Sequence, residues 1–178
     1  LNPEPCRLRP CPPGAKVTHS AAMEKHHIRD VLISADDIRA RVDRLVVEMR
    51  DACHGDNLVM IGILRGSFIF LADLVRAVER PLQVDFLVVS SYGTGTVSSG
   101  NVRLLYDPAT DLAGKHIVVV EDIIDSGRTL TRLVELLRAR HPASLAICTL
   151  LDKQIAPKPP AELRFVGFHA PPAFLVGY

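Results

Sequence analysis

The chain has 178 residues, 48% of them hydrophobic and 23% charged, which is enough for one globular domain with a substantial core. A formal net charge of +1 excludes the strong overall field that would select nucleic acid or a membrane surface, and no apolar run approaches the roughly 20 residues of a membrane span. Cys6, Cys11, Cys53 and Cys148 show neither metal-ligand nor redox spacing; Cys53 and Cys148, in apolar contexts, are expected to be buried free thiols, which fits a reducing cytoplasm.

Residues 1–22, LNPEPCRLRPCPPGAKVTHSAA, are rich in proline and lack the apolar stretch of a secretory signal; they read as a disordered or non-native leader before a domain over 23–178. Ser34 and Asp37 form a capping-box-like start, after which Ile38, Val42, Leu45, Val46 and Met49 recur at helical spacing to about Cys53. LVMIGIL (58–64) predicts a buried strand. Arg65, Gly66 and Ser67 then open a helix whose inward face is expected to be Phe68, Leu71, Ala72, Val75 and Val78. Pro81 punctuates, and VDFLVVS (84–90) is the second strand. Ser91 to Asn101 is a polar loop of Gly, Ser and Thr, a kind of segment that in a compact domain is usually functional or disordered. Strands are predicted over 102–106 and 116–120, with a turn at Asp107-Pro108 between them. A helix over 129–140 presents Leu130, Leu133, Val134 and Leu137 inward. Strand 145–151 follows, then Pro157, Pro159 and Pro160, then a strand over 164–168.

Strands that are apolar throughout, alternating with amphipathic helices, predict an α/β fold: a single domain with a mainly parallel twisted sheet and helices on both faces. Ligands bind such sheets beyond the carboxyl ends of the strands. Arg65-Gly66-Ser67, Ser91-Tyr92, Glu121-Asp122 and Asp152-Lys153 each come after an apolar strand, so four strand ends should converge on one crevice. No internal repeat and no second domain is visible.

VVVEDIIDSGRTL (118–130) poses the chemical question. Glu121 and Asp122 stand side by side at the end of a buried strand, where like charges repel and an unpartnered carboxylate is costly. A metal, hydroxyl groups or both would neutralise them. In DSGRT, Gly127 permits a tight turn, Ser126 and Thr129 bring hydroxyls, and Arg128 lies between them. The backbone N–H groups that follow form a cradle for a phosphate dianion, or simply a capped helix start with Ser126 as N-cap. No GxxxxGK[ST] string is present. Next to the two acids, the cradle favours a ligand carrying both phosphate and vicinal hydroxyls, such as a phosphorylated ribose.

That segment resembles the phosphoribosyl-diphosphate signature of the type I phosphoribosyltransferases, and with an acid at Asp125 it is similar to the hypoxanthine-guanine branch. GILRGS (62–67), the SSY at Ser90, Ser91 and Tyr92, LLDK (150–153) and FVGF (165–168) match in family order, and the resemblance runs from about Ile28 to Tyr178. It implies a small C-terminal hood on the sheet. It also implies a Mg²⁺-dependent reaction in which a 6-oxopurine nitrogen displaces diphosphate from C1 of phosphoribosyl diphosphate, giving IMP or GMP through an oxocarbenium-like transition state.

By the same resemblance Glu121 and Asp122 would hold the ribose hydroxyls and help place Mg²⁺, while Asp125 would act as general acid/base near purine N7. Ser126, Gly127, Arg128 and Thr129 would bind the 5′-phosphate. Arg65 and Gly66 would contact diphosphate, after a peptide bond that in the family is often cis. Ser91 and Tyr92 would close with the polar loop as a lid. Lys153, a donor only, would favour a 6-oxo over a 6-amino purine. Phe165 would stack on the base, unless it is an ordinary core residue, and Val166 would offer backbone groups to the base edge.

One departure stands out. FVGFHAPPAF places Pro172 where the family carries a metal-binding Asp, which leaves a second metal site in doubt; His169 reads as a surface residue. Relatives are dimers or tetramers, so a homo-oligomer is expected. A nucleotide-sensing regulator on this fold would call for a basic face or an added domain, and a receiver-like module would carry its acids in a different order. Transfer to adenine, uracil or orotate is disfavoured by Lys153 and Asp125. The choice among hypoxanthine, guanine and xanthine stays open.

Overall fold

The structure, a computed structural model, describes residues 30–52, 57–91, 102–155 and 159–178. The leader over 1–22, Cys53, Tyr92 and the polar loop through Asn101 lie outside the described residues. Ile33–Tyr178 form one compact unit; of the unit before it, Asp30, Val31 and Leu32 are described, and all three are exposed.

The elements run α1 (Ala35–Ala52), β1 (Leu58–Leu64), α2 (Phe68–Ala77), β2 (Gln83–Ser91), β3 (Val102–Tyr106), β4 (His116–Ile124), α3 (Arg128–Arg138), β5 (Ser144–Asp152) and β6 (Leu163–His169). The cap expected at α1 is made: the Asp37 N–H donates to Ser34 Oγ at 3.1 Å, and Ser34 Oγ donates to Asp37 Oδ2 at 2.6 Å. Six strands form one sheet in the order β3-β2-β1-β4-β5-β6, parallel except for the β2–β3 pair.

This order dictates the layers. The chain leaves β1 for β2 in one direction across the sheet and leaves β4 for β5 in the other. Right-handed crossovers then put α2 and α3 on opposite faces. The core divides accordingly. Leu58 and Met60 of β1 with Val118 and Val120 of β4 join α1 and α2, whereas Val59, Ile61, Ile117 and Val119 join Leu130, Leu133, Val134 and Leu137 of α3. Alternating residues of one strand thus serve two cores, which is why the strands are apolar throughout.

Several details depart from the sequence reading. Phe68 is 53% exposed; α2 buries Leu71, as expected, together with Phe70 and Leu74, while Val75 and Val78 pack partly buried against the same core. The inward stripe begins one turn earlier, at the fully buried Ser67, whose hydroxyl donates to Ile63 O at 2.7 Å. Small residues are needed there: a Cβ on Gly62 would lie 2.7 Å from Leu71 Cδ2. β4 continues past Val120 to Ile124, so Glu121 and Asp122 lie within the strand rather than after it. The C-terminal strand β6 extends the main sheet beside β5. Cys148 is a buried free thiol, as expected.

On the α3 side, the segment between β3 and β4 inserts Leu112, 1% exposed, into the core. Asp85 on β2 holds that segment. Its carboxylate accepts the Thr110 N–H at 2.9 Å and the Phe86 N–H at 2.8 Å. Burial pushes the Asp85 carboxyl up, but hydrogen bonds from Thr110, Phe86 and Ala109 outweigh burial and hold it below the usual carboxylate range. Asp85→Ala should therefore lower the unfolding free energy by about 2 kcal/mol in urea titrations near neutral pH. A carboxyl with a lowered folded-state pKa loses its contribution as pH falls, so the gap between wild type and variant should narrow below pH ~4.

Candidate active site

The switch in crossover direction leaves a crevice beyond the carboxyl ends of β1 and β4, and the motif residues lie on its rim. The Leu64–Arg65 peptide is cis, as the resemblance implied. It leads into Gly66, where a Cβ would sit 2.1 Å from Asp122 Oδ2. Only glycine lets this loop lie directly on the Asp122 carboxylate. Asp122 Oδ1 also accepts its neighbour's N–H, from Ile123 at 2.9 Å. Arg65 is exposed at the loop's tip.

Alternation along β4 sends Glu121 to the α3 side and Asp122 toward α2. Glu121 is the costlier of the two. Among the described residues its Oε2 is buried with no hydrogen-bond partner. Burial, reinforced by the negative charge of Asp122, raises its pKa to about 8. The unliganded carboxyl thus keeps its proton at neutral pH, and donors or a cation would be required to ionise it. Among the described residues no group of three or more His, Cys, Asp or Glu is placed to hold a metal. Two carboxylates suit Mg²⁺, which typically takes one or two from the protein and the rest of its ligands from water and substrate phosphates. The orphaned Glu121 oxygen fits that role.

After β4 the chain turns through exposed Asp125 and Ser126 to Gly127, whose φ of 68° is the left-handed conformation glycine tolerates. Gly127, not Ser126, is the N-cap of α3; no side chain caps the helix and its first turn carries no acid. Thr131 turns back on the cap, its N–H and Oγ1 both donating to Gly127 O, at 2.9 and 3.1 Å. The first turn of this helix has no side-chain cap, with Arg128 and Thr129 exposed beside it, an arrangement whose chemistry suits an anion.

Lys153 and Asp125 are brought together from β5 and β4: Nζ lies 2.6 Å from Asp125 Oδ1, with the lysine side chain 12% and the aspartate 58% exposed. The Lys153 N–H donates to Ile124 O at 3.1 Å, tying the two strand ends. Its neighbour Asp152 is nearly buried and accepts the Gln154 N–H at 2.8 Å. His169 is exposed, with Nδ1 3.8 Å from Asp152 Oδ2.

Phe165 differs from the stacking expectation. Its ring is 4% exposed and belongs to the core shared with α1 and α2, so in this structure it offers no open face. Val166 follows it on β6, half-buried. Ser91 ends β2, on the side of the sheet where β1, β4 and β5 also end, while Tyr92 is outside the described residues. Pro172 is exposed. Arg41 on α1 was not singled out from the sequence, yet it donates to the carbonyls of Val166 and Gly167. Its position between Ile38, Val42 and Leu45 was the available signal: a charge bordering an apolar stripe.

Glu121→Gln should change how stability varies with pH. The folded state holds a proton on Glu121 that the unfolded chain gives up near pH 4.5, so wild-type stability falls as pH rises from 4.5 to about 8. Thermal unfolding in chelator should find the variant close to wild type at pH 4.5 and more stable at pH 8, by on the order of 3 kcal/mol.

The chain matches the phosphoribosyl transferase domain family over residues 34–178. It is 46% identical over 159 residues to the hypoxanthine phosphoribosyltransferase of Haemophilus influenzae, covering 88% of each chain. It is also 46% identical over 156 residues to the hypoxanthine-guanine phosphoribosyltransferase of Bacillus subtilis, covering 88% of this chain and 87% of that one. Among solved structures, a hypoxanthine phosphoribosyltransferase from Staphylococcus aureus superposes with a TM-score of 0.79 at 38% identity, covering 84% of this chain and 82% of that one. By this match and these identities the chain belongs to the phosphoribosyltransferases, as an enzyme of the hypoxanthine(-guanine) branch that serves purine salvage.

Proposed function

We propose that this enzyme transfers the 5-phosphoribosyl group from phosphoribosyl diphosphate to a 6-oxopurine, hypoxanthine or guanine, with Mg²⁺ as cofactor. The bond formed joins purine N9 to C1 of the ribose; the bond broken joins C1 to diphosphate; the proton leaving the purine goes to Asp125. The observation that carries this reading is the Lys153–Asp125 pair at 2.6 Å, beside the uncapped start of α3. An ammonium donates to a C6 oxygen and cannot accept from a C6 amino group, while the carboxylate it holds is available to a ring N–H.

The remaining residues fall into place around that pair. The α3 terminus with Ser126, Arg128 and Thr129 takes the 5′-phosphate, and Arg65 with the Gly66 backbone takes diphosphate. Glu121 and Asp122 accept hydrogen bonds from the ribose hydroxyls, hold Mg²⁺ and lie near the positive charge that grows at C1. Mg²⁺, when bound, neutralises the diphosphate and makes it a better leaving group. Val166 offers backbone groups to the base, and Phe165 supports it from the core.

Purified protein given phosphoribosyl diphosphate, Mg²⁺ and hypoxanthine, guanine, xanthine or adenine in turn should form a nucleotide with at least one of the first two and none with adenine. Failure with both, or equal use of adenine, would refute the reading. Asp125→Asn should lower kcat by about 10²-fold or more, with substrate binding largely retained. EDTA should abolish turnover and added Mg²⁺ restore it.

A further inference from the structure

The guanidinium of Arg41 makes three sets of contacts. Nη2 donates to Val166 O at 2.7 Å, Nε donates to Gly167 O at 3.0 Å, and Nη1 lies 2.5 Å from Glu48 Oε1 on the same helix. Its side chain is 20% exposed. The arginine is carried by a helix anchored through Val42, Leu45 and Met49, all buried. Successive carbonyls of a regular strand point to opposite edges. In β6 two consecutive carbonyls, those of Val166 and Gly167, nonetheless accept from one guanidinium. Gly167 also lies close on β5: a Cβ at this position would lie 2.4 Å from Leu150 O.

We propose that Arg41 is a positioning residue for base recognition: it fixes the orientation of the Val166 and Gly167 peptide groups, and through them the edge that a purine meets. The inference rests on the reading that Val166 borders the base. A planar fork with donors at fixed angles can hold two adjacent carbonyls while its other edge is held by a carboxylate; a lysine ammonium, a single point charge, cannot impose that orientation. The contact does not reach the cradle or the paired acids, so its removal should affect the base and spare the sugar.

The test is steady-state kinetics of Arg41→Met and Arg41→Lys, with KM measured separately for hypoxanthine and for phosphoribosyl diphosphate and with thermal unfolding recorded for each variant. Arg41→Met is expected to raise KM for hypoxanthine about tenfold or more, the loss of charge-assisted hydrogen bonds, while KM for phosphoribosyl diphosphate stays at the wild-type value. Arg41→Lys should shift the same constant in the same direction, by less. Constants that move together, or a hypoxanthine KM that does not move, would overturn the proposal. If the Met variant is not recovered folded, the Lys variant, which keeps the charge and the aliphatic stem, decides by the same criterion. Lys153→Met, run in parallel, separates the two levels: an unchanged hypoxanthine KM there refutes the base-site reading itself, whereas a raised value there with unaltered Arg41 variants refutes this inference alone.

Discussion

Two adjacent carboxylates at the end of a buried strand are the constraint that the rest of this fold accommodates. β4 is closed in on both faces by helices, and it ends by carrying Glu121 and Asp122 into partial burial. Alternation relieves part of the repulsion by sending them to opposite sides of the sheet, but burial still raises the Glu121 pKa to about 8, and Asp122 has room beside the loop after β1 because Gly66 carries no side chain. The molecule is therefore least satisfied where its ligand would supply the missing partners. Hydroxyl donors and a divalent cation would lower the free energy of both acids, so in the proposed reaction part of the binding affinity would come from relief of that cost.

The topology explains why that cost sits where it does. β1 and β4 are neighbours, and the chain leaves them in opposite directions, so neither crossover covers the space beyond their ends. The loop after β1 and the turn after β4 face each other across this gap. The α3 terminus is aimed at it because the helix must start there to return along the sheet. One geometric fact, the reversal of crossover direction, thus creates the crevice, leaves helix N–H groups unpaired at its rim and brings the acids to its floor.

Much of this was legible in the sequence, for physical reasons that differ by element. The α3 stripe was readable because a 3.6-residue period with four apolar positions admits no other face, and all four are buried. The parallel sheet followed from strands without a polar face. What was not legible depended on partners distant in the chain. Phe68 carries the period as well as Leu71 does, and its exposure follows from the turn at 65–67, which sets where the helix begins and so how it is rotated. Asp85 and Arg41 look like ordinary solvated charges until Thr110 and the β6 carbonyls are brought to them. Phe165 has the same composition context whether it faces a ligand or the core; the bulge in register between Ile147 and Cys148 on β5 precedes it, and with it the face the ring takes.

Division of labour between strands also bears on how the proposed reaction is guided. Everything assigned to the sugar and its phosphate, from Glu121 to Thr129, lies on one continuous segment, so its internal spacing is set by local backbone geometry. Of the groups assigned to the base, Asp125 stays with that segment, whereas Lys153 directly follows β5 and Val166 lies on β6. The bond to be made joins the two groups, and its length and angle are therefore set across the β4–β5 seam. That seam is well determined: the strands pair in parallel from His116 and Ser144 to Ile124 and Asp152, and the Lys153 N–H reaches back to Ile124 O. A slip of one residue would exchange the faces of every side chain on β5 and move Lys153 away from Asp125, leaving a base held beyond reach of C1. The hydrophobic alternation that buries Ala146, Ile147 and Cys148 in two different cores forbids that slip, so the same packing that makes the sheet stable also sets the distance over which the transfer would take place.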